Sequence, residues 1–152
     1  MDSNVGKLAK WLRIAGFDAT FYKDIDDDRL VRLAIREERV LLTRDAGILE
    51  RRVAMTGRLK AILVTNEHVK SQLHQVVTEL GLAGKFSPFT RCAECNALLV
   101  SVEKQEVEGL VPPYVYRTRS QYMRCPTCRR VYWRGTHWEK MSKQLSELAG
   151  VV

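Results

Sequence analysis

Helical and strand signals that alternate from residue 5 to residue 82, and four cysteines held in two Cys-x-x-Cys pairs beyond residue 90, predict an α/β domain followed by a small metal-bound ribbon. The alternation is that of βα units, so the sheet is expected to be mostly parallel. Texture changes at Phe86-Ser87-Pro88-Phe89. The boundary is placed near residues 84–90, with an α/β domain over 1–85 and a ribbon with a C-terminal tail over 86–152.

Each element has its own signal. Val5, Leu8, Ala9, Leu12 and Ala15 make one apolar stripe, Lys7, Lys10 and Arg13 project elsewhere, and Gly16 stops the helix. Asp18-Ala19-Thr20-Phe21-Tyr22 has enough aromatic and β-branched character to read as a strand. Asp24, Asp26, Asp27 and Asp28 precede Leu30, Val31, Ala34 and Ile35, whose spacing marks a second helix. Val40-Leu41-Leu42-Thr43 and Ala61-Ile62-Leu63-Val64-Thr65 are apolar runs too short for helices, as expected of buried parallel strands. Ile48 to Ala54 between them is expected to be helical. Val69, Leu73, Val76, Val77 and Leu80 form the clearest helical stripe, ended by Gly81. After residue 84 come a Pro112-Pro113 break and β-prone stretches such as Tyr114-Val115-Tyr116.

The composition is that of an ordinary globular chain, with 45% hydrophobic and 28% charged residues, and no run approaches the length of a membrane span. The first residues lack the apolar core of a secretory signal, so the expected location is the cytosol, where thiols stay reduced. A net charge of +7 is spread over both parts, which suits a polyanionic partner or simple solubility and does not locate a site.

Cys92-Ala93-Glu94-Cys95 and Cys125-Pro126-Thr127-Cys128 account for every cysteine. A two-residue gap turns both sulfurs of a pair onto one ion, and two such knuckles make a closed, four-thiolate structural zinc site. A β-hairpin excursion accommodates the long spacing between them. Disulfides are disfavoured in a reducing compartment, and a redox pair belongs at the start of a helix in a βαβ setting, not in turn-rich sequence. His68, His74 and His137 are not needed as ligands, and His74 is expected to face solvent.

Open α/β sheets collect chemistry at the carboxyl ends of their strands. Asp45 follows one such end, Asn66-Glu67 follows another, and Asp2 precedes the first helix. Clustered carboxylates repel one another unless a cation neutralises them, and Mg²⁺ or Mn²⁺ suits an oxygen-rich set. The competing reading is that Asp2, Asp26, Asp27, Asp28 and Asp45 are helix caps and first-turn acids.

Asp2 with Gly6-Lys7-Leu8-Ala9-Lys10-Trp11-Leu12-Arg13, the aspartates before Leu30, Leu41-Leu42-Thr43-Arg44-Asp45, and Tyr132-Trp133-Arg134-Gly135-Thr136-His137-Trp138 together resemble one family over nearly the whole chain. It is the PIN-like ribonuclease family named after the carboxy-terminal domain of the mutator-seven exonuclease. The resemblance implies a PIN-like sheet with helices on both faces, a divalent-metal site of acidic residues, and cleavage of single-stranded RNA by an endoribonuclease. Asp2 and Asp45 match the family's acids, one of Asp26 to Asp28 matches the intermediate acid with Asp27 preferred, and Glu67 corresponds loosely to the last. The family's apolar strand ahead of the first aspartate has no counterpart here, so the sheet is expected to lack it, and pairing with a second copy would cover the exposed edges.

Arg129, Arg130, Arg134, Trp133, His137 and Trp138 interleave charge with aromatic surface, which suits phosphate contacts and base stacking. Both tryptophans can instead pack the ribbon against the α/β domain. Lys7, Lys10 and Arg13 can guide phosphate toward Asp2 or form a solvated helix face. The nucleic-acid-binding candidates are Lys7, Lys10, Arg44, Arg130, Arg134 and His137. The alternative function is a non-catalytic RNA-binding ribbon protein; a third is a scaffold that borrows its absent strand from a partner.

Overall fold

The computed structural model describes residues 3–148, and Asp2 lies outside them. The chain divides into two compact units, Met1–Ala9 with Thr20–Gly81 and Lys10–Ala19 with Leu82–Val152. Among the described residues no helix is long and apolar enough to cross a membrane.

Helix α1 (Ser3–Ile14) contributes to both units. The first unit continues with α2 (Asp27–Arg36), β1 (Leu41–Thr43), α3 (Ala46–Leu49), α4 (Arg52–Met55), β2 (Ala61–Leu63) and α5 (Val69–Glu79). Strands β1 and β2 are parallel, with Leu41 opposite Ala61 and Thr43 opposite Leu63, so their carboxyl ends lie together. Leu30, Val31 and Ala34 of α2 pack with Leu41, Ile48 and Leu59 into one core. Helix α5 buries Leu73, Val76 and Val77, as its stripe requires.

Two elements of this unit differ from expectation. The helix expected over Ile48 to Ala54 is broken in two, because Arg51 takes an extended backbone (φ −67°, ψ 146°) as the residue before α4. In a continuous helix Ile48 and Val53 would point about 140° apart. With the break, both pack against the same core. The expected strand at 18–22 does not form either. Ala19 spends its backbone groups on side chains, donating to Asn96 Oδ1 at 3.1 Å and accepting from Arg13 Nε at 2.7 Å. Phe21 lies against Gly6, where an added Cβ would stand 3.3 Å from its ring.

Beyond β2, the Gln75 side-chain amide takes the place of a strand. Its Nε2 donates to Leu63 O at 2.7 Å and its Oε1 accepts from Thr65 N at 3.2 Å.

The second unit holds β3 (Val100–Val102), a 3₁₀ turn over Lys104–Val107, α6 (Pro113–Thr118), β4 (Tyr122–Arg124), β5 (Val131–Trp133) and α7 (Thr136–Leu148). The strands form an antiparallel sheet in the order β3-β4-β5. Tyr114 to Tyr116, β-prone by composition, are helical because Pro113 opens α6, where its fixed φ and missing N–H fit the first turn. The buried Tyr122 hydroxyl then lies 3.0 Å from both Val115 O and Arg119 O, so its one proton is shared between carbonyls at the helix end. Val107, Val111, Val115 and Tyr122 form the small core.

Arg13 departs furthest from its expected place on a solvated face, since it is buried, with 9% of its surface exposed. Gly16 ends α1 with φ +101°, and a side chain there would run into the Ser87 carbonyl. That close approach lets Ser87 N and Phe89 N each donate at 2.9 Å to Ala15 O and Ile14 O.

Candidate functional site

The two cysteine knuckles have the same backbone. Cys92 N donates to Ala97 O at 2.8 Å and Asn96 N returns to Cys92 O at 2.9 Å, while Cys125 N donates to Arg130 O and Arg129 N returns to Cys125 O, both at 2.9 Å. The residue after each second cysteine is left-handed, Asn96 at φ 68° and Arg129 at φ 66°. Within each knuckle the second cysteine's N–H donates to the first sulfur, Cys95 to Cys92 and Cys128 to Cys125, both at 3.4 Å.

All four sulfurs lie within 4.8 Å of one another. None is in a disulfide, and Cys92 Sγ stands 3.6 Å from Cys128 Sγ. A tetrahedral ion with Zn–S of about 2.3 Å needs sulfurs about 3.8 Å apart, so the tetrad fits zinc. The backbone N–H of Arg130, followed by hydrogen bonds from the other thiols, pulls Cys128 down to about 7. Its hydrogen bond with Cys128, then burial, pushes Cys95 up to about 12.

Two side chains around the tetrad were not visible as site residues in the sequence. Arg13 Nη1 donates to Ala93 O at 2.9 Å and Glu94 O at 3.3 Å, inside the first knuckle. Burial lowers its pKa, opposed by Cys92, Glu94, Cys95 and Asp18. Tyr132 places its hydroxyl 3.0 Å from Cys92 Sγ. Burial first, then that contact, raises its pKa above the usual phenol range. A one-letter motif carries neither relation, since Arg13 and Ala93 are 80 positions apart.

The acidic edge belongs to the first unit. Asp45 caps α3, its Oδ1 accepting from Gly47 N at 2.9 Å while its own N–H donates to Thr43 Oγ1 at 3.0 Å. Asp26 caps α2 by accepting from Arg29 N at 2.9 Å, so that acid is engaged as a helix cap. Asp27 is exposed in the first turn of α2, and Glu67 is exposed beyond β2. Arg44 Nη1 donates to Asn66 O at 3.2 Å, joining the loops that follow the two strands. The buried Gln72 donates to the same carbonyl at 2.8 Å.

Sequence reasoning also passed over Arg51. Its Nη1 lies 2.6 Å from Asp28 Oδ1, and that hydrogen bond holds Asp28 below the usual carboxylate range. Asp28, with smaller contributions from Asp27 and Asp45, raises the pKa of Arg51 in turn. The available signal was the run of acids at the start of α2, whose mutual repulsion a nearby cation relieves. Among the described residues only the cysteine tetrad brings three or more His, Cys, Asp or Glu close enough to hold an ion.

Of the proposed phosphate contacts, Lys7 is exposed and Lys10 is paired with Glu94 at 2.7 Å. Arg130, Arg134 and His137 are exposed in the ribbon unit. The Arg134 guanidinium sits 4.9 Å from the Trp138 ring centre, and Phe89 packs on the same ring at 4.9 Å. Trp138 is thus engaged by its own unit.

No curated protein and no solved structure matches the chain significantly. The family described as the Mut7-C RNAse domain does match, over residues 1–145. That span takes in the acidic strand ends, both cysteine knuckles and the Tyr132-to-Trp138 segment, and the chain therefore belongs to the Mut7-C RNAse domain family.

Proposed function

We infer that this chain is an endoribonuclease that cuts single-stranded RNA, with a structural zinc in the ribbon. The observation that carries the reading is the family match over residues 1–145, joined to parallel strands whose carboxyl ends bring the Asp45 and Glu67 loops to one edge. Asp45 and Asp27 share the field of Arg51 at that edge, and Asp2 is required to complete a metal-binding set with them. A bound Mg²⁺ or Mn²⁺ would supply water activation and charge neutralisation at the scissile phosphate. The chain's own contribution is to hold the acids, through the Asp45 cap and the Arg44 to Asn66 bond, and to attract the strand with Lys7, Arg44, Arg130, Arg134 and His137. Four free thiols as zinc ligands suit a reducing, cytoplasmic setting.

A non-catalytic RNA-binding role is the competing reading. Its supporting observation is that Asp45 and Asp26 are partnered by helix N–H groups and Asp28 by Arg51.

Circular and linear end-labelled single-stranded RNA, given to the purified full chain with and without added Mn²⁺, separate the two. Opening of the circle in Mn²⁺ is expected. RNA retention with no cleavage of either form contradicts the nuclease and favours the binder. Omitting Mn²⁺ is the proper control, because a strong chelator would also strip the thiolate site.

A further inference from the structure

Arg13 is buried yet donates hydrogen bonds to main-chain carbonyls, Ala19 O at 2.7 Å, Ala93 O at 2.9 Å and Glu94 O at 3.3 Å. Carbonyls satisfy its N–H donors but leave its charge to be balanced by other groups. Of the carboxylates that act on Arg13, Glu94 is tied to Lys10 at 2.7 Å and Asp18 is engaged by Asn96 Nδ2 at 2.6 Å, so both share their charge with other partners. The knuckle that Arg13 grips, however, carries two of four thiols around a point that fits one divalent ion. Four thiolates on one such ion leave about two negative charges in excess. On the other side, Cys92 is fully buried and out of reach of water, so a thiolate there depends on protein donors. Two are in place, Cys95 N–H at 3.4 Å and the Tyr132 hydroxyl at 3.0 Å.

We propose that Arg13 and Tyr132 are the outer shell of the metal centre, Arg13 as its counter-charge anchored on the first knuckle and Tyr132 as hydrogen-bond donor to the Cys92 thiolate. The proposal rests on reading the four cysteines as zinc ligands. It gives the Arg13 position of α1 a role in metal retention that the apolar stripe of the helix does not suggest. The same contacts tie the end of α1 to the ribbon, with Asn96 Nδ2 donating to Asp18 Oδ1 at 2.6 Å beside them.

The test uses the full chain as wild type, Tyr132→Phe, Arg13→Gln and Arg13→Lys. Zinc content is measured by atomic absorption, and zinc release by transfer to the chromogenic chelator 4-(2-pyridylazo)resorcinol. Wild type is expected to carry stoichiometric zinc. Tyr132→Phe and Arg13→Gln are expected to release it about 10- to 100-fold faster, the usual cost of losing an outer-shell partner. Arg13→Lys, which keeps the charge, is expected to fall between Arg13→Gln and wild type. Should Arg13→Gln fail to fold, Tyr132→Phe, which loses a single hydroxyl, decides with Arg13→Lys. Release from the variants within about twofold of wild type overturns the outer shell and leaves the zinc reading standing. Wild type without zinc overturns both.

Discussion

Cys125→Ser is expected to leave the chain without zinc and the ribbon unfolded. Cys125 is fully buried, and its sulfur receives Cys128 N–H at 3.4 Å, so it holds the second knuckle and would be one of the four ligands of a bound ion. A serine hydroxyl is a poor ligand for an ion that prefers thiolate, and three sulfurs leave an open position. Structural zinc contributes on the order of 10 kcal/mol or more in isolated zinc domains, comparable with the whole stability of a typical domain. The apolar core beside it, Val107, Val111, Val115 and Tyr122, is too small to offset that loss. Zinc analysis and near-ultraviolet circular dichroism check the result. A variant that keeps its native spectrum and melting temperature contradicts the zinc-dependent fold.

Asp45→Asn is expected to behave in the opposite way, losing RNA cleavage while keeping the fold. The structural duty of Asp45 is to accept from Gly47 N at 2.9 Å, and an asparagine Oδ1 does this as well as a carboxylate, since the two residues are equivalent N-caps. Stability should therefore change by less than about 0.5 kcal/mol. Removing a negative charge from a metal-binding edge costs several kcal/mol of transition-state stabilisation, or about 100-fold or more in rate. Initial rates on single-stranded RNA in Mn²⁺, read beside a thermal melt, separate chemistry from folding. Equal rates would remove Asp45 from the catalytic set.

What the sequence made legible follows from the range of the interactions involved. The two knuckles could be read because each Cys-x-x-Cys is closed by contacts within six residues, and both fold alike in the structure. Helices α2 and α5 were visible because burial of one face imposes a period on the residues themselves, and strands β1 and β2 because each is a short apolar run of the kind a buried parallel strand needs. The failures come from partners far along the chain. Asp18 to Tyr22 has strand-like composition, but Asn96, 77 positions away, takes the Ala19 N–H. Arg13 reads as surface charge until Ala93 and Glu94 are brought to it. Tyr114 to Tyr116 erred for a local reason, because a proline at the start of a helix outweighed β-propensity.

At the acidic edge, Asp45 was placed correctly at the end of β1, whereas Arg51 was read as an ordinary helical residue. Its break in the backbone is what turns α3 and α4 onto one core and leaves its guanidinium at Asp28. A periodicity argument cannot show such a break, because Ile48 and Val53 look compatible with one helix until the core they share is known.

The most direct measurement is a crystal soaked in Mn²⁺, with anomalous data collected at the manganese edge. The expected map has a peak bound to the carboxylates of Asp45 and Asp2 at about 2.1 Å, on the edge formed by the ends of β1 and β2. A map in which Asp2 stands on the opposite side from Asp45, with manganese absent from that edge, would contradict the nuclease site.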